Sequence, residues 1–234
     1  MNQPNASTRP ARSIPLHVTA FVAFVSAIAA LAASNGHVAH AHGTAHGHAS
    51  APTLTQKQFA LRTDMRRLWE DHITWTRLAI ISLTTGSPDT EATVGRLLKN
   101  QTDIGNAVKP FYGNAAAAEL TKQLRTHILI AADVIAAAKA GDTVKLADAQ
   151  ARWAKNGDQI ARVLTSVNPR HWKLATMQRE LNMHLKLTTD EAVARLQGDW
   201  RADVAAYDKV HRHALHLADL LSDGLIGQFP KRFR

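Results

Sequence analysis

Thirteen histidines and no cysteine define the chemistry open to this 234-residue chain. Neutral imidazole ligates copper, zinc or nickel and exchanges protons near neutral pH. Without cysteine there is no thiolate nucleophile, Cys-ligated zinc, disulfide or covalently attached c-type haem. His37, His40, His42, His46 and His48 crowd together, spaced mostly by Ala, Gly and Thr. On a flexible segment such a tract suits capture of Cu(II), Ni(II) or Zn(II). Its plain alternative is a soluble spacer with incidental metal affinity. Seven further histidines are dispersed from His72 to His216.

Four of these, His72, His127, His184 and His211, fall on apolar stripes of four different helical segments. Allowing 1.5 Å of rise per residue, His72 and Asp103 lie within about 3 Å of the same height on adjacent helices. His127 and Asn156 match in the same way. A register slip of roughly 9 Å separates the two pairs. If tilt absorbs it, His72, Asp103, His127, Asn156 and His211 form one polar layer. His184 fits this layer less well, because it is placed near a helix end. Two or three imidazoles with Asp103 as ligand or orienting acceptor would hold copper or zinc. The alternative is a hydrogen-bonded polar layer that fixes helix register without an ion. Non-covalent haem between two helical histidines is a lesser option.

Other constellations carry less. No Glu-x-x-His occurs, which excludes the usual carboxylate-bridged di-iron bundle. There is no Gly-x-Ser-x-Gly elbow, P-loop, dinucleotide fingerprint or His-Glu-x-x-His. Asp199 and Asp203 share a helix face and are expected to pair at the surface with Arg201 or Lys209. Glu70 and Asp71 read as a solvated face, and Tyr207 with His211 as a hydrogen-bonded pair.

The elements that would position these residues are helical throughout. From Thr53 onward the prolines separate segments with apolar residues every three or four positions, and no run alternates with period two over strand length. Thr53-x-x-Gln56 reads as a capping box opening a helix to about Thr85, and Ser87-Pro88 opens a second that ends before Pro110. Asn114 and Asp142 cap a third and a fourth. A short fifth covers about 171–187, and Thr188-x-x-Glu191 opens a long last helix to about Ile226. The expected fold is all-α: an antiparallel bundle of four main helices plus one or two more, over 53–228. Residues 229–234 form a basic tail, expected to fray.

The first residues belong to another function. Arg9 and Arg12 precede a run from Val18 to Ala33 interrupted only by Thr19 and Ser26. As a helix it would span about 24 Å, short of the roughly 30 Å hydrocarbon core. It reads as a secretory signal over 1–33, with cleavage after Ala32 or as late as Ala41, followed by the histidine segment at 34–52. If uncleaved, residues 14–33 would anchor the protein. Removal of the signal takes away two basic and no acidic residues from a formal charge of +9. The remaining positive charge suits an anionic envelope component, and export argues against nucleic acid.

Leu68-Trp69-Glu70-Asp71-His72-Ile73-Thr74-Trp75-Thr76-Arg77, Gln101-Thr102-Asp103-Ile104-Gly105-Asn106 and His127-Ile128-Leu129-Ile130-Ala131 carry a resemblance. Over about 54–230 the chain is similar to a group of exported bacterial all-α proteins. The resemblance implies fold and export and assigns no chemistry. The expectation is thus a periplasmic or secreted bundle that binds copper or zinc through the tract and through a core layer. The rival is a metal-free interaction protein of the envelope, and the third class is an enzyme using the histidine–carboxylate layer.

Overall fold

In a computed structural model, residues 54–234 are described. The expected signal and the tract with His37, His40, His42, His46 and His48 lie outside them. The described residues are helical throughout: α1 (Gln56–Thr85), α2 (Thr90–Ala140), α3 (Thr143–Val167), α4 (Leu174–Gln197) and α5 (Trp200–Gln228) precede a 3-10 turn, Pro230–Phe233. Among them no helix is long and apolar enough to cross a membrane.

Local chemistry sets each boundary. The first capping box forms at Thr55 and Gln58, two residues later than the sequence suggests. Thr55 Oγ1 accepts from the Gln58 N–H, and Gln58 Oε1 accepts from the Thr55 N–H. Asp142 and Asp199 cap α3 and α5 through backbone N–H groups of Lys145 and Ala202. Inside α2 the helix continues through Pro110 and reverses at Gly113 (φ 81°, ψ 179°), a conformation open to glycine alone. The chain then doubles back, so Arg125 Nη1 donates to the carbonyl of Leu98. Tight reversal, rather than a capped loop at Asn114, is what brings His127 beside α1.

Contrary to the sequence expectation, Thr188-x-x-Glu191 opens no helix. Thr188 is buried inside α4 and donates its hydroxyl to the His184 carbonyl at 2.9 Å. The break falls at Gly198, in the left-handed region at φ 72°. The tail is also ordered. Phe233 is buried, its carbonyl accepts from Thr55 Oγ1 at 2.6 Å, and the rings of Phe229 and Phe233 pack on Phe111. The main apolar core joins Trp69 and Ile73 of α1 to Leu120, Ile160, Met177 and Leu217 on the other helices.

Candidate functional site

Continuity of α4 puts His184 in mid-helix, where it meets two histidines from other elements. Its ring centroid lies 5.7 Å from that of His72 on α1 and 6.2 Å from that of His127 on the second arm of α2. All three side chains are buried, at 4%, 5% and 4% exposure for His72, His127 and His184. Aromatic rings wall the group: Trp69 meets His72 edge-on at 5.5 Å, and Trp153 packs on His127 at 5.2 Å. One turn further along, Thr76, Ile128, Trp153 and Thr188 help to line an apolar cavity of about 40 Å³.

The three rings are held differently. Asn156 donates its amide N–H groups to the backbone carbonyl and Oε1 of Gln123, at 3.2 and 3.1 Å. This orientation aims Asn156 Oδ1 at His127 Nδ1, 2.9 Å away, so that Nδ1 carries the hydrogen and Nε2 keeps its lone pair. Gln123 in turn donates to Glu119, which extends the chain of bonds to the surface. His72 Nδ1 lies 3.1 Å from Gln101 Nε2, whose neighbour Asn100 is anchored on the Leu68 carbonyl. His184 Nδ1 is buried and has no hydrogen-bond partner. Leaving such an atom unpaired costs about 1–3 kcal/mol.

Burial also decides charge. It lowers His72 from the usual 6.5 to about 4, assisted by His127 and opposed by the polar amide of Asn100 nearby. Burial lowers His127 to about 4 as well, against its bond to Asn156. His184 is pushed well below the usual range by burial, then by His72, His127 and His213. The group is therefore neutral at pH 7, the state in which imidazole ligates metal.

The other expected members lie elsewhere. Asp103 faces outward and pairs with Lys99 at 3.2 Å. Its place against His72 is taken by Gln101 and Asn100, a shift of two to three residues along α2. His211 Nε2 lies 2.7 Å from Glu70 Oε2 at the half-exposed α1–α5 seam, and the ring stacks on Tyr207 rather than sharing a hydrogen bond with it. Asp203, expected at the surface, is buried and bound by Arg77 and Arg195. Arg77 also reaches the fully buried Glu191 at 2.8 Å. Asp199 serves as the α5 cap.

Sequence reasoning missed His213 and His216. His213 stacks beside His184 at 6.2 Å and donates from Nε2 to the Glu180 carbonyl, 3.0 Å away. His216 follows at 6.3 Å, with Nε2 3.7 Å from the Glu180 carboxylate. Their i,i+3 spacing on α5, facing Glu180 and His184 at i,i+4 on α4, was the available signal.

An ion bound to two imidazoles at about 2.0–2.1 Å would bring their centroids to roughly 5 Å. The observed pairs are wider. Among the described residues no group of three or more His, Asp or Glu side chains is already gathered around a point that would hold a metal ion. No known protein family, curated protein or solved structure matches the chain.

Proposed function

We propose that this is an exported antiparallel helical-bundle protein that binds a transition metal, copper or zinc, at His72, His127 and His184. The segment with His37, His40, His42, His46 and His48 acts as a first point of capture. One observation carries the reading: His184, whose buried Nδ1 has no partner, packs its ring 5.7 and 6.2 Å from the neutral imidazoles of His72 and His127. His127 supports it, because Asn156 holds Nδ1–H and leaves Nε2 free, the arrangement that fixes ligating histidines in metal sites. Closing the His184–His72 and His184–His127 pairs by roughly 0.5–1 Å would bring each to the separation of two imidazoles on one ion. Neutral imidazole ligands of borderline softness, without carboxylate, favour copper or zinc over magnesium or calcium.

The test uses the full chain with the five tract histidines replaced by alanine. Zinc or copper titration is expected to fill one tight site, and His184→Leu in the same chain is expected to abolish it. Absence of tight binding in the tract-substituted chain would overturn the reading.

A second reading rests on a different surface. The two arms of α2 border a cleft of about 680 Å³ lined by Lys109, Lys122 and Arg125 without an acidic residue. It fits an anionic envelope component. Sedimentation with anionic phospholipid vesicles is expected to weaken on Lys109→Glu and Lys122→Glu if that reading holds.

A further inference from the structure

The three buried imidazoles are sealed by Trp69, Trp153 and the apolar cavity on the sides described above. Toward the α4–α5 seam the polar side chains continue. His184, His213 and His216 succeed one another with centroids 6.2 and 6.3 Å apart. His216 is 59% exposed, and Glu180 beside it carries a carboxylate at 14% exposure.

We infer that His216 and His213, with Glu180 at the mouth, form a ladder along which a transition-metal ion passes from the surface to His184. The inference rests on the reading of His72, His127 and His184 as a metal site. A bare divalent ion in an apolar interior bears a large desolvation cost. Swings that close adjacent imidazoles from about 6 Å to roughly 5 Å let the ion exchange one ring for the next while remaining ligated. His213 is poised for this. Its Nε2–H is committed to the Glu180 carbonyl, so Nδ1 keeps the lone pair. The Glu180 carboxylate attracts the cation without holding it in the core.

A gate differs from a ligand in what it changes. A residue that only conducts the ion alters association and dissociation equally and leaves Kd in place. The experiment is stopped-flow mixing of zinc or copper with the tract-substituted full chain and with its His213→Gln/His216→Gln variant. Expected is a fall of about tenfold or more in both rate constants with little change in Kd. Glu180→Gln is expected to slow association most at low ionic strength. Unchanged rates in the double variant would overturn the ladder while leaving the site intact. A weakened Kd with unchanged association would also overturn it, because His213 or His216 would then be a ligand. If the parent chain binds no metal tightly, the underlying site fails, a result seen before any ladder variant is made.

Discussion

Two polar regions buried among the described helices are built on opposite principles. Around Arg77, opposite charges meet. Arg77 Nη2 donates to Asp203 Oδ2 at 2.9 Å, its Nη1 reaches Glu191, and Arg195 adds a second cation at 3.2 Å. Around His184 there is no carboxylate partner, and the neutral rings of His72 and His127 lie tilted 5.7 and 6.2 Å from its own. The charged region leaves Glu191 Oε2 unpaired, and the histidine region leaves His184 Nδ1, Gln101 Oε1 and the indole N–H groups of Trp69 and Trp153 without partners. The Glu191 oxygen belongs to a carboxylate whose other oxygen already binds Arg77. The His184 nitrogen is an available lone pair or an unplaced hydrogen. Buried polarity is structural where charges close on one another, and ligand-seeking where neutral donors remain.

Acidification is expected to separate the two regions most strongly. Between the usual 6.5 and about 4, the unfolded chain protonates His72 and His127 while the folded protein resists. The unfolded state then binds more protons, so stability is intact above pH 6.5 and falls as pH drops toward 4. The loss is on the order of 3 kcal/mol for each imidazole. Glu191 acts in the opposite sense. Burial raises its pKa, so the folded protein holds that proton more firmly, and acid favours the fold through this group. Urea unfolding of metal-free protein across this interval measures the balance. Ring titration followed by NMR separates the histidines from Glu191, and protonation of His72 and His127 near 6.5 in the folded protein would contradict the histidine assignment.

Arg77→Met breaks the charged region by stranding Glu191 and part of Asp203, at an expected cost of about 3–5 kcal/mol. Urea unfolding at pH 7 checks it, and a loss below 1 kcal/mol would show that Arg195 and solvent suffice. Asn156→Ala removes the acceptor of His127 Nδ1–H and is expected to cost about 1–3 kcal/mol. Thermal unfolding without metal measures it. His184→Leu is the smallest change and the most discriminating. Without metal it is expected to leave stability unchanged or raise it by about 1 kcal/mol, because an unpaired polar atom disappears. A large destabilisation would mean that His184 is already satisfied as a structural residue.

The helices were legible in the sequence because apolar spacing and punctuation agree along most of the chain. Asn156 opposite His127 was legible too, since both heights count from the well-marked Gly141–Asp142 turn. The position of His184 was hidden by Thr188. A threonine three residues before a glutamate imitates a capping box, but this hydroxyl bonds the carbonyl four residues back, and Glu191 is drawn into the core by Arg77. Placing a boundary there moved His184 to a helix end and Asp203 to the surface. Asp103 failed for a smaller reason. An offset of two residues turns a helical side chain by about 200°, enough to exchange a buried position for an exposed one. In the tail, Phe229 and Phe233 outweigh the surrounding basic residues by packing on Phe111.

Metal ligation at this site is decided at particular ring nitrogens, which nitrogen-resolved spectra observe one by one. Long-range proton–nitrogen NMR spectra of the histidine rings would be recorded on the full chain, tract histidines replaced, before and after one equivalent of zinc. Expected is a metal-induced shift at Nε2 of His127, with Nδ1 still protonated toward Asn156, and a shift at His184 and His72. Rings of these three unchanged by zinc, while His211 or His171 shift instead, would contradict the site.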